Sequence, residues 1–468
     1  MKIFNKDILF DQFTKILNLK NNLIYSVPWI QPVKIDDKII NEYMFVLKFN
    51  FSNFTFNLLK SFYEIFISLN KLIISAFIKS KKIDVDSNIL ILSHLINTHQ
   101  LKSKNDFYFG NLEENLDKFG HKTSKYFLNH TNLNKNRLSN YKSYIFPKID
   151  TFKIEFEVFY NQLKLFFFIL SKIFYLIKND QKISVIIIFL LKTLSYHTQS
   201  ALRIGIQVNH LIKDTNIKFL FITFEGHCYE KIISLYNQDI SIIAYQNTPL
   251  SFSQFSIKFY SNYTLPSVIL TKNKFYKKFL ENNLNLKTKI LNFGDLNYKA
   301  ISHISSQTKR SRSILFVPEG IVSEVKIMIN FIKKNYKSNQ DINFTIRFHP
   351  VFSKILINKY KYIFKDATNV FFSESTPQED FSSNIYVIYR GSSLIFDAIR
   401  AGLIPIYLNK GININILDIL DLSNNSINFE SNLDDLNLNN LNLETNTIEK
   451  FTNLFYPARF DNLLNEIN

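Results

Sequence analysis

The 468-residue sequence is short of several features, and each shortage excludes a class of protein. It has one cysteine, Cys228, which excludes an internal disulfide framework. Its two longest apolar runs, LFFFILSKIFYLI and ISVIIIFLL, are separated by KNDQK, and neither reaches the roughly 18 to 20 residues that span a bilayer. Its N-terminus, MKIFNKDILFDQF, lacks the uninterrupted apolar core of a signal peptide. We therefore expect a cytoplasmic protein without transmembrane helices.

The composition that is present indicates a folded, basic protein. The chain is 46% hydrophobic, which excludes a disordered protein, and it is long enough for two or three domains. Its formal charge of +17 favours an anionic partner: a nucleotide, an acidic glycan, nucleic acid or anionic lipid. A solvated lysine-rich surface would give the same charge. The Phe- and Lys-rich segment 150–195 predicts either buried core helices or peripheral, salt-sensitive docking on the inner face of an anionic membrane.

The order of apolar patterns predicts an α/β protein with an extra helical N-terminal region. Apolar residues recur at spacings of three and four through most of residues 1–85 and again through 150–213, which is typical of helices. After residue 215, short apolar runs alternate with helical stretches, as in βαβ units of parallel sheets. The predicted strands are NILILSH, KYFLNHT, IKFLFITFEG, ISIIAYQN, SVILTKN, KILNFGD, SILFVPEG, NFTIRFHP, NVFFSE, IYVIYRGSS and IPIYLN.

A polar, basic stretch at about residues 297–312, YKAISHISSQTKRSRS, marks the best domain boundary. We predict an N-terminal α/β domain over 1–297 and a second Rossmann-like domain over 310–445. A last helix over 446–468, beginning in NTIEKFTNLFY, is expected to pack back on the first domain.

The chain has only nine glycines, and four of them directly follow predicted strands: Gly226, Gly294, Gly320 and Gly391. A sequence so sparing of glycine keeps it where a side chain does not fit. Ligands of open parallel sheets bind outside the carboxyl ends of the strands. The stretches FEG, PEG, FHP and RGSS are therefore expected to face one crevice between the domains. Glu374, at the end of NVFFSE, belongs to the same group of strand ends.

Two predicted helix starts follow these turns and offer anion sites. After Gly391, the side chains of Ser392 and Ser393 are expected to cap a helix whose free N–H groups could bind phosphate. After Gly320, the first turn of the next helix contains Ser323. Capping alone would explain the serines without any ligand. The nine histidines are scattered without ligand spacing, so no metal site is predicted.

The series FEG, RFHP and GSS resembles the motif series of bacterial sialyltransferases and related transferases that use CMP-activated sugars. Glu225 and His349 are 124 residues apart, and His349 and Ser392 are 43 apart, as in that series. The wider frame, FEGHCYEKII to AIRAGLIPIYL, is also similar to surface-carbohydrate biosynthesis transferases. The resemblance covers about residues 215–410. It implies a GT-B fold, with two Rossmann-like domains facing across a cleft and the donor bound by the C-terminal one.

The resemblance also implies roles for individual residues. His349 would contact the CMP phosphate and support its departure, and Pro350 would hold the turn. Ser392 and Ser393 would bind the phosphate. Glu225 would be the general base that deprotonates the acceptor hydroxyl. The family has an acid where this chain has Phe224, so Glu230, one helical turn on, is a second candidate for the base.

The implied enzyme is a metal- and cofactor-independent glycosyltransferase that moves a sugar of the nonulosonic-acid or Kdo type from CMP to a glycan or lipid-linked glycan acceptor. Three alternatives remain open. SSLIFD is similar to a motif of teichoic-acid polymerases, which transfer a polyol phosphate from a CDP-linked donor. A non-catalytic, basic membrane-surface protein would bind no nucleotide. Nucleic-acid binding would need a recognised module, and none is visible.

Overall fold

The computed structural model describes residues 6–33, 39, 42–43, 46–47, 51–78, 87–96, 100–101, 105–131, 144–248, 250, 255–284, 288–298, 312–409, 426–428, 430–433, 438 and 456–467. These residues form two compact units. Unit 1 comprises 1–247, 253–298 and 456–468, and unit 2 comprises 248–252 and 299–455.

Unit 1 contains a seven-stranded sheet in the order β3-β2-β1-β4-β5-β6-β7, and all its strand pairs are parallel. Its carboxyl ends therefore lie along one edge. All seven residues of β1 are buried, as expected for a parallel strand covered by helices on both faces. The strands are β1 (Ile89–Leu95), β2 (Thr123–Asn129), β3 (Tyr144–Phe146), β4 (Phe219–Thr223), β5 (Ser241–Gln246), β6 (Val268–Thr271) and β7 (Lys289–Asn292).

Unit 2 contains a six-stranded, all-parallel sheet in the order β10-β9-β8-β11-β12-β13. Its core lies on both faces, with Phe316 and Phe344 on one side and Tyr389 and Tyr407 on the other. The strands are β8 (Ser313–Val317), β9 (Asn343–Ile346), β10 (Val370–Phe372), β11 (Tyr386–Tyr389), β12 (Ile404–Asn409) and β13 (Ser426–Asn428).

Helices connect and cover these strands, and two short 3-10 helices, Asn22–Ser26 and Pro28–Ile30, precede them. Helices α2, α4, α6 and α7 pack together as a helical layer of unit 1. The described α-helices are α1 (Lys6–Leu17), α2 (Phe51–Ser75), α3 (Leu112–Lys118), α4 (Phe152–Ser171), α5 (Ile173–Lys178), α6 (Ile183–Thr193), α7 (Tyr196–Lys213), α8 (Cys228–Tyr236), α9 (Phe255–Lys258), α10 (Lys274–Asn283), α11 (Val322–Asn335), α12 (Lys354–Ile363), α13 (Pro377–Ser383), α14 (Leu394–Arg400) and α15 (Phe460–Ile467).

The predicted fold class is confirmed: the chain is α/β, with two Rossmann-like parallel sheets and an additional helical region. Every predicted apolar run contains an observed strand. Strands β3 and β13 were not predicted, because they have three residues each and are too short to show a periodic pattern. The cleft between the two domains stays a prediction.

One local prediction was wrong, and another falls mostly outside the described residues. The predicted helix start in NTIEKFTNLFY, residues 446–456, lies outside the described residues except for Tyr456, and the described helix of this region is α15, which begins at Phe460. Its Leu463 and Ile467 are buried in the core of unit 1. Ser393 makes no side-chain cap on α14, because its own backbone is already helical and its hydroxyl does not reach back to the first turn. The predicted boundary at 297–312 falls almost wholly outside the described residues.

No single helix in the described ranges is both long and apolar enough to cross a membrane. One bent pair, α6 with α7, meets the length and composition of a span together, with a bend of 48° between them.

Candidate functional site

The turn that follows β4 is built around the carboxylate of Glu230. Its Oε2 accepts hydrogen bonds from the backbone N–H groups of Gly226 (2.8 Å) and His227 (3.0 Å), and both oxygens lie 3.1 Å from the N–H of Glu225. The hydroxyl of Thr223 donates to Oε1 at 2.8 Å. The buried Glu230 therefore fixes the path of the backbone from the strand end into α8.

Gly226 makes this turn possible, and the turn does not accept a side chain there. Its φ of +84° lies in the left-handed region that L side chains rarely adopt. A Cβ at this position would come within 2.4 Å of the Ser256 hydroxyl. The turn therefore requires the glycine of FEG. The turn in turn places the carboxylate of the preceding residue, Glu225.

That carboxylate, Glu225, lies at the carboxyl edge of the unit 1 sheet. The side chain is 11% exposed, and its Oε2 is 3.2 Å from Nε2 of His227. The His227 ring stacks on Tyr229 at 4.9 Å between centroids. An acid with a histidine in contact at a strand end is an arrangement suited to proton transfer.

A chain of polar side chains runs from this turn across the neighbouring strands. Nε2 of His94 lies 2.9 Å from the Thr223 hydroxyl, and Nδ1 of His94 lies 2.8 Å from Nε2 of His130. Because Thr223 donates to Glu230, it accepts from His94 Nε2, and His94 Nδ1 then accepts from His130. The partners thus assign a single direction to the hydrogen bonds from His130 to Glu230.

Burial sets the charge states in this chain. It lowers the pKa of His94 to about 3, so His94 is neutral near pH 7, as its hydrogen bonds require. It raises the pKa of Glu230 to about 7, while the charge of His227 and the donors from Thr223 and Glu225 act in the opposite direction. All the contacts to Glu230 donate to it, so the geometry accommodates its ionised form.

In unit 2, His349 is exposed beyond the end of β9, and its ring has a defined orientation. Nδ1 accepts from the N–H of Val351 at 3.2 Å, which assigns the ring proton to Nε2. Gly320, at the end of the adjacent β8, leaves room for the ring: a Cβ there would lie 3.1 Å from His349 Nδ1 and 3.0 Å from Val351 Cγ1. Pro350 is exposed in the turn that follows.

Ser392 follows β11. Strand β8 lies between β11 and β9 in the sheet, so β11 and β9 are about 10 Å apart. Its side chain is 8% exposed, and its hydroxyl is 3.4 Å from the N–H of Leu394. Gly391 precedes it and is half-buried, whereas Ser393 is exposed. The structure therefore brings His349, Gly320 and Ser392 to one edge of one sheet.

Ser323 and Glu374, also predicted as site residues of unit 2, are placed differently from His349 and Ser392. Ser323 is half-buried in the first turn of α11, and its neighbour Glu324 forms a buried ion pair with Arg390. Glu374 follows β10 and is 80% exposed, with Lys361 at 2.6 Å. Glu374 thus lies at the correct sheet edge, but its side chain is in an ion pair on the surface.

The structure also supplies site residues that the sequence analysis did not single out: His94 and His130, with Tyr229 and Tyr108 beside them. The ring of Tyr108 lies 4.7 Å from that of His94. The available signal was a histidine at the end of each of two predicted strands, as at His349. Among the described residues, no group of three or more His, Cys, Asp or Glu side chains is placed to hold a metal ion.

No protein-family model matches the sequence, and no curated protein matches it. Solved structures similar to the chain include MurG from Acinetobacter baumannii, at 10% identity, TM-score 0.43, 81% of this chain and 99% of that one. Another is a UDP-GlcNAc 2-epimerase from Methanocaldococcus jannaschii, at 9% identity, TM-score 0.40, 78% of this chain and 92% of that one. A third is the UDP-GlcNAc 2-epimerase from Neisseria meningitidis bound to UDP-GlcNAc. It is 10% identical, with a TM-score of 0.38, and the match covers 69% of this chain and 83% of that one. These values identify no family, and the fold class rests on the two parallel sheets themselves.

Proposed function

We propose that this protein is a glycosyltransferase that moves a sugar of the nonulosonic-acid or Kdo type from a CMP-activated donor to a cell-surface glycan acceptor. The observation that supports it most is the turn after β4. Glu230 and Gly226 hold Glu225 at the carboxyl edge of the sheet, with His227 in contact. The motif similarity to CMP-sugar transferases supports the identity of the donor.

In the proposed reaction Glu225 is the base. It removes the proton of the acceptor hydroxyl, whose oxygen forms a bond to the anomeric carbon of the sugar. The bond from that carbon to the phosphate oxygen breaks, and its electron pair leaves with CMP. Glu230 is a positioning residue rather than the base, because its oxygens are occupied by the backbone of residues 225–227 and by Thr223. No metal or cofactor takes part in these steps.

Unit 2 is proposed to bind the donor. The Nε2–H of His349 donates to the phosphate as negative charge develops on it, and Ser392 contacts the same phosphate. Two arginines beside them, Arg347 and Arg390, are already in ion pairs with Asp380 and Glu324. Their charge is thus largely neutralised, and the donor groups proposed for the phosphate are the imidazole and the hydroxyl.

The test is nucleotide binding. We expect CMP to raise the Tm of the pure protein more than UMP, GMP or AMP do, and Ser392→Ala to weaken CMP binding about threefold to tenfold, as for loss of one hydrogen bond. Calorimetry with CMP and the four-nucleotide thermal shift measure these effects. Ser382→Ala, an exposed serine of unit 2, is the matched control.

Donor turnover then separates the remaining candidates. Release of CMP from a CMP-sugar supports the proposal, whereas release from CDP-glycerol would assign the chain to polyol phosphate transfer. A preference for uridine nucleotides would assign a UDP-activated donor in place of the CMP-activated one. If the protein binds none of these nucleotides, the proposed transferase activity is refuted.

A further inference from the structure

A cavity of about 200 Å³ lies in unit 1 beside the histidine chain. It opens between the ends of β2 and β3 and the first half of α7. Its polar walls come from His130, Lys148, Tyr196, Ser200, Arg203 and Gln207. No carboxylate is among the described residues that line it. Arg203 and Gln207 donate to Glu155 and Asp150, so the lining offers an incoming group the ammonium of Lys148 and the hydroxyls of Tyr196 and Ser200.

Positive charge is concentrated around this cavity. Nε and Nη2 of Arg203 donate to the carboxylate of Glu155, which lies on α4. Arg203 is 2% exposed. Lys148 is exposed at the mouth. Lys71 lies behind the wall, with its Nζ 3.8 Å from the centroid of the Tyr196 ring. Two carboxylates face these three cationic side chains: Glu155, and Asp150, which accepts from Nε2 of Gln207 at 2.6 Å.

Burial and the neighbouring positive charges both act against protonation of two of these groups. Burial, together with the charges of Arg203 and Lys148 and against the effect of Glu155, lowers the pKa of Lys71 to about 7. Burial lowers the pKa of His130 as well, with His227 and Lys148 acting in the same direction. An anion in the cavity would relieve this repulsion and stabilise the protonated forms.

The cavity is also connected to the proposed base. His130 lines the cavity and hydrogen-bonds to His94, whose other nitrogen contacts Thr223 beside the turn that holds Glu225. We propose that this cavity binds a phosphate-class anion carried by the acceptor. The binding of the anion stands on the cavity itself, and its assignment to the acceptor rests on the proposed function.

Inorganic phosphate is the probe for this site. We expect calorimetric titration of the full chain to show phosphate binding that Lys148→Ala weakens about tenfold to a hundredfold, as for loss of a charge-assisted hydrogen bond. Lys337→Ala, which removes an exposed lysine of unit 2, is the matched control and should leave binding unchanged. Ser200→Ala tests the opposite wall and should weaken phosphate binding several-fold.

Two further ligands separate the sources of the phosphate. Tighter binding of short-chain phosphatidic acid than of glucose 6-phosphate would assign the anion to a lipid headgroup, and the reverse order would assign it to a phosphorylated glycan. Equal phosphate affinity in wild type, Lys148→Ala and Lys337→Ala would overturn the site, as would no binding of any of the three ligands. No sugar donor is present in these titrations, so failure of the transferase proposal would not affect them.

A second, independent observation concerns helix α2, which has its polar stripe inward. Its protein-facing side chains are polar: Asn57, Ser61, Glu64, Ser68 and Ser75 are all buried. Its outward stripe is apolar, and these side chains are between 38% and 67% exposed: Phe56, Leu59, Phe62, Tyr63, Phe66, Leu69, Ile73 and Ile74. This is the reverse of a helix on the surface of a globular protein, which turns its apolar stripe toward the core.

The adjacent helix α4 and the following α5 add to this face. Their exposed large apolar side chains are Phe152, Phe156, Tyr160, Phe167, Leu170, Phe174, Tyr175 and Ile177. Helix α2 packs against α4, so both stripes belong to the same helical layer. A 25-residue helix is about 38 Å long. The largest apolar patches of monomeric proteins are typically 300–600 Å², and a face of two such stripes is expected to be covered in use.

The charge around this face indicates what covers it. Four of its lysines are exposed, namely Lys153, Lys164, Lys178 and Lys182. Asp180 is exposed among them, and Glu157 is in contact with His210. In a symmetric dimer formed through this face, the lysines of one copy would lie opposite those of the other and repel them. We infer that the outward stripes of α2 and α4 lie in the interface of an anionic membrane, with their lysines at the headgroups.

Vesicle flotation tests this inference. We expect the full chain to float with vesicles of phosphatidylcholine containing about 30% phosphatidylglycerol and to bind less as salt rises. The double variant Phe62→Glu/Phe66→Glu should lose binding by at least tenfold, because two exposed aromatic anchors become charged. The matched control is Tyr362→Glu/Phe371→Glu, which alters two exposed aromatic residues of unit 2. Unchanged melting temperatures would show that both variants fold.

Either of two results would overturn the membrane assignment. One is vesicle binding that is equal in the wild type and in Phe62→Glu/Phe66→Glu. The other is a wild-type protein that does not float but elutes as a dimer, and that the same double variant converts to a monomer, because this face would then bind a second copy.

Discussion

Glu225→Gln is expected to lower kcat by about a hundredfold to ten-thousandfold, the range for loss of a positioned general base. Glutamine keeps the shape of the side chain but cannot take the acceptor proton. The affinity for CMP should stay within about twofold of wild type, since the base acts on the acceptor. The measurement is CMP release from a CMP-sugar in the presence of acceptor glycan, together with calorimetry of CMP.

The control for this variant is Glu281→Gln, which neutralises an exposed carboxylate of the same unit. It should leave kcat unchanged. A kcat for Glu225→Gln that equals that of the control would remove Glu225 as the base. Because Glu230 holds the turn through the backbone, Glu230→Gln should instead lower both kcat and the melting temperature, which separates a positioning role from a chemical one.

His349→Ala is expected to lower kcat/KM with a CMP-sugar by about 10- to 150-fold. The reason is the loss of a hydrogen bond to the charged leaving phosphate, worth about 1.5 to 3 kcal/mol. The effect should appear in CMP affinity as well as in turnover, in contrast to that of Glu225→Gln. Steady-state kinetics and CMP calorimetry on the same preparation distinguish the two residues.

Two variants accompany this prediction. His121→Ala removes a histidine of unit 1 and should have no effect on CMP. Gly320→Ala places a methyl group about 3 Å from the His349 ring and should displace it, so CMP binding should fall while His349 is still present. If His349→Ala and Ser392→Ala both bind and turn over CMP-sugar as the wild type does, we would withdraw the transferase proposal.

The stretch FTIRFHP shows how far local sequence reasoning extends. A strand was predicted there and is present, but β9 ends at Ile346, four residues before Pro350. The proline therefore does not stop the strand. The residues between carry the chain past the sheet edge, where Gly320 and Val351 orient His349. The neighbours that orient the ring include a residue from another strand end, which no local pattern contains.

The sequence by itself determined the strands and the turn chemistry of this protein. Parallel strands buried on both faces must be short and apolar throughout, so their runs are visible in the sequence. The glycine of FEG is likewise a local requirement, since its backbone is left-handed. Which strand ends become neighbours depends on strand order. His94 and His130 meet because β1 and β2 are adjacent in the sheet, although 36 residues separate them in the chain.

Only the tertiary structure decided which way the helical layer faces. The spacing of apolar residues in α2 predicts one apolar and one polar stripe, and nothing in that pattern states which stripe turns inward. The polar stripe packs inward here, where Lys192 of α6 reaches Glu64 at 3.3 Å and Gln199 of α7 donates to the carbonyl of Ser68. Buried polar groups need such partners, and the partners lie more than a hundred residues away. The apolar stripe is left on the outside for that reason.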